Sequence, residues 1–164
     1  MARRSNKKSR DHQPADNTGT ARETAVSLLA RRDYASGELR AKLEQRGYDG
    51  PTAAAVIAEL TEERALNDVR YAENYVSYHA GRGHGPVRIT ADLKALGVPG
   101  EVIETALATG PDWRVLACEV RARKFGAQEP PDWSEKARQA RFLQYRGFSS
   151  DHIRSALDAD FDLD

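Results

Sequence analysis

The chain is poor in the residues that build covalent or metal-held structure. Its 164 residues include one cysteine, Cys118, and one methionine. A single thiol closes no internal disulfide and builds no cysteine-based zinc site, and it suits a reducing compartment. Long hydrophobic runs are also missing. The longest uncharged stretch is the nine residues from Gly50 to Ala58, far short of the roughly 20 needed to cross a bilayer. The basic opening Met-Ala-Arg-Arg-Ser-Asn-Lys-Lys-Ser-Arg is followed by no apolar segment, so it does not read as a secretory signal, and a cytoplasmic location is expected. Net charge is zero, 25 Lys and Arg against 25 Asp and Glu. That excludes the bulk positive charge behind indiscriminate nucleic-acid binding. The length excludes a large multidomain enzyme and fits one ordinary domain or a short array of small units.

Catalytic and ligand motifs are equally scarce. His12, His79, His84 and His152 are scattered, with no second ligand at metal spacing. The stretch Gly81 to Pro86 lacks the Gly-Lys-Ser/Thr ending and the preceding strand of a phosphate-cradling loop, and reads as a helix connector. Asp158, Asp160, Asp162 and Asp164 resemble the opening of a calcium loop without its bidentate Glu. They read as a solvated acidic tail, with docking onto a basic face of the chain as the alternative. Glu62 and Glu63 are neighbours and do not face each other on a helix. No Ser/His/Asp or Cys/His arrangement is evident. The expectation is a protein that is not an enzyme and uses neither metal nor cofactor.

What the sequence does contain is helical periodicity from Thr20 onward. Apolar residues recur three and four apart: Ala25, Leu28 and Leu29; Leu39 and Leu43; Val56, Ile57 and Leu60; Ile89 and Leu93; Ile103 and Leu107. Superimposed on it is a 50-residue repeat. Arg46-Gly47-Tyr48, Leu96-Gly97-Val98 and Arg146-Gly147-Phe148 lie 50 apart, with Leu43, Leu93 and Leu143 four before each glycine. Ala53, Ile103 and Ile153 follow six after it, and Ile57, Leu107 and Leu157 ten after. Agreement of several positions on one period marks a tandem architecture. Each glycine is expected at the C′ position of a helix, where a left-handed backbone costs least without a Cβ. A new helix then starts at Gly50-Pro51, Pro99-Gly100-Glu101 or Ser149-Ser150-Asp151. A further helix precedes each pair, at about 20–32, from a cap at Asn67 to Ala80, and from a cap at Asp112 to Phe125.

The expected fold is therefore all-α, with three tandem three-helix repeats in an elongated, curved array. Its parts are a disordered basic arm at 1–20, repeats at 21–65, 66–110 and 111–157, and an acidic tail at 158–164. Short helices are marginal alone and must bury an apolar face, so adjacent repeats are expected to stack. Tyr71, Tyr75 and Tyr78 form a helical stripe assigned to the core, and Trp113 and Trp133 are assigned to packing at repeat boundaries.

Charge is distributed unevenly. The arm has a net charge of +3 and the tail −4. The three repeats hold seven bases against eight acids, four against five, and nine against six, which leaves the third at +3. Arg121, Arg123 and Lys124 fall on its first helix, and Lys136, Arg138 and Arg141 on its second. Arg121 with Lys124 and Arg138 with Arg141 are i,i+3 pairs expected to project from one face each. One reading is an ordinary solvated surface. The other is a face that meets phosphates or an acidic protein groove, with Arg82 and Arg88 beside the Gly-rich loop as the next candidates.

Several short motifs together resemble the RecX family of RecA regulators: Tyr34-Ala-Ser-Gly-Glu-Leu39, Leu66-Asn-Asp-Val-Arg-Tyr-Ala72, Gly85-Pro-Val-Arg-Ile89 with Leu93 and Gly97-Val98, and Arg146-Gly-Phe-Ser149 with Ile153. The resemblance spans about residues 22–157 in order. It implies an all-helical cytoplasmic protein that binds RecA and the RecA-DNA filament and restrains recombinase, ATPase and co-protease activities. It further implies a role in partner contact for Arg88 and folding roles for Leu39, Leu43, Leu93 and Gly147. A monomer with weak direct DNA binding is expected. The competing reading is a helix-turn-helix DNA-binding module. Against it, the helix after the first Gly turn reads Pro-Thr-Ala-Ala-Ala-Val-Ile-Ala-Glu-Leu over 51–60, with no base, and its counterpart in the third repeat has only Arg154.

Overall fold

A computed structural model describes residues 14–157, with side chains from residue 17. The first 13 residues of the expected basic arm, His12 among them, and the acidic tail at 158–164 lie outside the described residues. Among those described, every regular element is an α-helix: α1 Pro14–Leu29, α2 Ser36–Gln45, α3 Gly50–Glu62, α4 Asp68–Gly81, α5 Pro86–Ala95, α6 Gly100–Ala108, α7 Trp113–Phe125, α8 Trp133–Arg146 and α9 Ser150–Leu157. They fall into three groups of three, as the repeat requires. One boundary is corrected. Residues 14–20, read from their composition as part of an arm, are the first turns of α1. A helix held downstream by buried Ala21, Ala25 and Leu28 extends upstream over polar residues at little cost. Pro14 at its first position forgoes an N–H that has no intrahelical partner anyway.

The three Gly turns are built alike. Gly47, Gly97 and Gly147 have φ of 95°, 78° and 96°. At each, the glycine N–H donates to the carbonyl three residues back, at 3.0 Å: Glu44, Lys94 and Gln144. The next N–H donates to the carbonyl five back, from Tyr48 to Leu43, Val98 to Leu93 and Phe148 to Leu143, at 3.1–3.2 Å. This double closure satisfies carbonyls that a bare helix end leaves open. Val98 and Phe148 are buried beneath it, and Tyr48 is half-buried with its hydroxyl 3.0 Å from Thr24 Oγ1. The helix starts are less uniform. Asp49 caps α3 by accepting from Thr52 N–H at 2.7 Å, one residue ahead of the expected Gly50-Pro51 signal. Asn67 and Asp112 cap α4 and α7 as expected, and Asp132 caps α8.

The chain packs as two compact units. The first includes the described residues up to Tyr34 together with Glu38–Leu66, and the second Ala35–Gly37 with the described residues from Asn67 on. In the first, α1 packs on α3 around Leu28, Leu39, Leu43, Val56 and Leu60. Each such side chain, fully buried, contributes roughly 1.5–3 kcal/mol before the entropy of ordering is subtracted. At its surface Arg22 pairs with Glu63 at 3.0 Å, and Arg32 reaches Glu38 at 2.6 Å with its guanidinium 3.7 Å above the Tyr34 ring.

The second unit has two cores. One gathers Val76, Ile89, Leu93, Val98 and Ile103, and the other Ala117, Val120, Leu143, Phe148, Ile153 and Leu157. Trp113 packs against the first of these cores with its indole N–H on the Leu107 carbonyl at 3.2 Å, in keeping with a boundary role. Trp133 does not share it. Nearly two turns ahead of the first buried residue of α8, it is 64% exposed. Tyr71 and Tyr75 pack on the core, but Tyr78 is 59% exposed. A stripe is core only where another element accompanies it, and in the last turn of α4 the neighbour of Tyr78 is Arg82, whose Nη1 donates to its hydroxyl.

Backbone contacts join successive groups inside this unit. Gly85 N–H donates to the Arg146 carbonyl and Val87 N–H to the Gly147 carbonyl, both at 2.9 Å. A Cβ on Gly85 would stand 2.4 Å from the Gly147 carbonyl carbon, so only glycine fits there. Likewise Gly37 lies against Gly97, where a Cβ would meet the Gly97 Cα at 2.8 Å. Beside it Ser36 N–H and Oγ both donate to the Asp68 carboxylate.

Candidate partner-binding site

Three helix ends of the second unit meet in one cleft. Arg82 follows the end of α4 as its C-cap, Arg123 and Lys124 occupy the last turn of α7, and Arg146 is the last residue of α8. Cations are favoured at helix C-termini, where the backbone dipoles end in open carbonyls. The four side chains line the cleft together with Gly83, Val120 and Phe142. Phe142 is its aromatic floor, with Lys124 Nζ 5.9 Å and Arg146 Cζ 5.3 Å from the ring centroid. Arg146 Nη1 also donates to the Arg82 carbonyl at 3.4 Å, tying the loop after α4 to α8. No acidic side chain lines the cleft. Among the described residues, no ion pair engages any of its four cations.

Arg88 is exposed in the first turn of α5, its backbone against Gly147. Its field is felt at two histidines that close the loop. His79 and His84 place their Nδ1 atoms 3.0 Å apart with the rings stacked at 5.2 Å. Such a contact requires one ring nitrogen to donate and the other to accept. Burial pushes both imidazoles below their ordinary value; Arg88 and Arg82 push His79 further down, and Arg88, His79 and Arg146 do so for His84. Tyr75, stacked on His79 at 4.1 Å, donates its hydroxyl to Asp92 at 3.2 Å. Burial first and the Asp92 charge second push that phenol up to about 12. Uncompensated cations over an aromatic floor fit phosphates or carboxylates. Among the described residues, no group of three or more His, Cys, Asp or Glu is placed to hold a metal ion.

Arg82, Arg123 and Lys124 thus come together, whereas Arg88 does not line the cleft. Arg121 does not. It is 8% exposed, with Nε on Gln139 Oε1 at 2.8 Å and Nη2 on the Gln128 carbonyl at 2.6 Å, so the expectation that it projects beside Lys124 is corrected. The reason lies in the repeat: residue 139 occupies the register of Leu39 and Ile89, and a buried glutamine there requires a buried polar partner. Arg138 is exposed but committed to Glu135 through two hydrogen bonds of 2.9 and 3.0 Å. Half-buried Lys136 and exposed Arg141 do not line the cleft. Sequence reading missed Arg146 and Phe142. Four residues apart, they share a helix face, and Arg146 was visible as the base directly before the third turn glycine.

Three family models match the chain in order: "RecX, first three-helix domain" over residues 21–60, "RecX, second three-helix domain" over 67–107 and "RecX, third three-helix domain" over 115–157. Similar relatives include Regulatory protein RecX of Halorhodospira halophila, 44% identical over 84% of this chain and 86% of that protein. Regulatory protein RecX of Pseudomonas fluorescens is 43% identical over 87% and 92%. Among solved structures, the crystal structure of RecX from Lactobacillus salivarius superimposes with a TM-score of 0.75 at 21% identity, covering 87% of this chain and 95% of that one.

Proposed function

This chain belongs to the RecX family, and from that premise we propose that it is a non-enzymatic regulator that binds RecA and its DNA filament and lowers recombinase, ATPase and co-protease activity. The observation that supports a binding role is the cleft of Arg82, Arg123, Lys124 and Arg146, four cations without an acidic partner in their lining. Cations with no acidic side chain beside them suit an anionic surface brought by a partner. Arg88, exposed on α5 outside the cleft, is included in the reading on the family resemblance. Lys136, Arg138 and Arg141 stand outside the cleft and are assigned at most a peripheral part in contact.

The test is RecA's DNA-dependent ATP hydrolysis with this protein present below RecA's stoichiometry. Wild type should slow it, and Arg88→Glu, or Lys124→Glu with Arg146→Glu, should raise the concentration needed at least tenfold while circular dichroism still reports the helices. Unchanged hydrolysis with excess folded wild type removes the reading. Binding to naked single-stranded DNA over a salt series separates direct phosphate contact from RecA contact. Each phosphate engaged adds about 0.7 to the logarithmic slope, so a slope near zero assigns the cleft to protein.

A further inference from the structure

The acidic tail at 158–164 complements the cleft chemically. It reads Asp158-Ala-Asp-Phe-Asp-Leu-Asp164: four carboxylates alternate with Ala159, Phe161 and Leu163, and no base is present. The cleft offers Arg82, Arg123, Lys124 and Arg146 without a carboxylate, over an apolar lining of Val120 and Phe142. Carboxylates match the guanidinium and ammonium groups, and Phe161 and Leu163 match the lining. Residues 1–13, by contrast, hold five bases and one acid, so the same cations repel that segment.

The path to the cleft is short. α9 runs beside α7 in the same sense: Arg114 and Asp112 at the α7 start act on His152 in the first turn of α9, and Cys118 meets the Ser155 carbonyl one turn further along both helices. α9 therefore ends toward the last turn of α7, where Arg123 and Lys124 stand. Its last residue, Leu157, is buried in the core that holds Val120, and Val120 also lines the cleft. From Cys118 to Lys124 is roughly 9 Å along the helix, and passing around a helix adds about its 10 Å diameter. Seven extended residues span roughly 23 Å, which covers both. We propose that residues 158–164 fold back into the cleft of Arg82, Arg123, Lys124 and Arg146 and compete there with an anionic partner. Tethering lets a weak contact fill the cleft, because a short linker holds the tail at an effective concentration in the millimolar range. Competition, unlike docking itself, requires that the cleft be the partner site proposed above.

The test compares amide resonances of the full-length wild type with those of a variant carrying Asp158→Asn, Asp160→Asn, Asp162→Asn and Asp164→Asn. The variant should shift Gly83, Arg123, Lys124 and Arg146, by the same amount in dilute and concentrated protein, while circular dichroism stays unchanged. Wild type in about 1 M salt, where the Debye length is roughly 3 Å, should move toward the variant's positions. In wild type at low salt, carbodiimide coupling should join Lys124 to an aspartate of 158–164, and Arg146→Glu should lower the yield. Cleft resonances identical in the two proteins overturn the proposal, as does coupling of the tail only to lysines other than Lys124. Shifts that vanish on dilution overturn folding back in favour of the tail of a second copy. RecA's ATP hydrolysis tests competition: the Asn variant should slow it at a concentration roughly threefold lower than wild type, since its cleft is no longer blocked. Equal potency with docking intact overturns competition. No effect of either protein on RecA removes the RecA reading, and competition with it, while docking stands.

Discussion

Arg121 and Gln139 show how one residue in a repeat changes the meaning of another. Gln139 sits where the other repeats have Leu39 and Ile89, and its buried amide oxygen accepts from Arg121 Nε. Gln139→Leu restores the repeat's apolar residue but strips a buried guanidinium of a partner. We expect a loss of about 2–3 kcal/mol by chemical denaturation. Replacing both, with Arg121→Met, should recover most of it, since an isosteric apolar pair is often as stable as a buried polar one. The His79–His84 pair gives a second residue-scale expectation. Both imidazoles titrate below their ordinary value near 6.5, so just below that pH the unfolded chain holds more protons than the folded one. Stability therefore rises with pH through this window and is lost as pH falls below about 6.5. His152, pushed down by burial first and then by Arg114, acts in the same direction. Melting temperature measured from pH 7.5 to 5 should fall, and fall less in the His79→Gln, His84→Gln double variant.

At the scale of elements, the turns were legible and the starts only partly so. A Schellman closure needs a residue at ease with positive φ at one fixed place, so glycine at 47, 97 and 147 announces it. A cap is offered by any of several short polar residues near the boundary, and a proline close by competes as a signal. Asp49 was passed over for Gly50-Pro51 for that reason. Asp49→Ala should destabilise the first unit, where its oxygen takes the Thr52 amide. Asp112→Ala should cost about 1 kcal/mol in the second, since it caps α7 through Arg114 and Val115 amides. Thermal unfolding read against wild type checks both. The stripe at Tyr71, Tyr75 and Tyr78 was read as core along its length because periodicity reports a face and is silent about where the partner of that face stops.

For the whole molecule, the arithmetic of charge pointed to the third repeat without locating the cleft. Repeat totals cannot distinguish Arg121, held inside, from Arg146, held outside, because both are single bases on amphipathic helices. Nor can they show that Arg82, 64 residues earlier, lies within hydrogen-bonding reach of Arg146. The fold was readable because it is periodic. The cleft was not, because it forms where one period meets the next, and its members come from helix ends that no spacing rule connects.

The lone thiol has a practical consequence. Cys118 is half-buried on α7, with Sγ 3.6 Å from the Ser155 carbonyl of α9. Because the sequence has no other sulfhydryl, a maleimide reacting with the unmodified protein reports on a single place. The label would sit on α7 beside α9, in the native chain and without any engineered thiol.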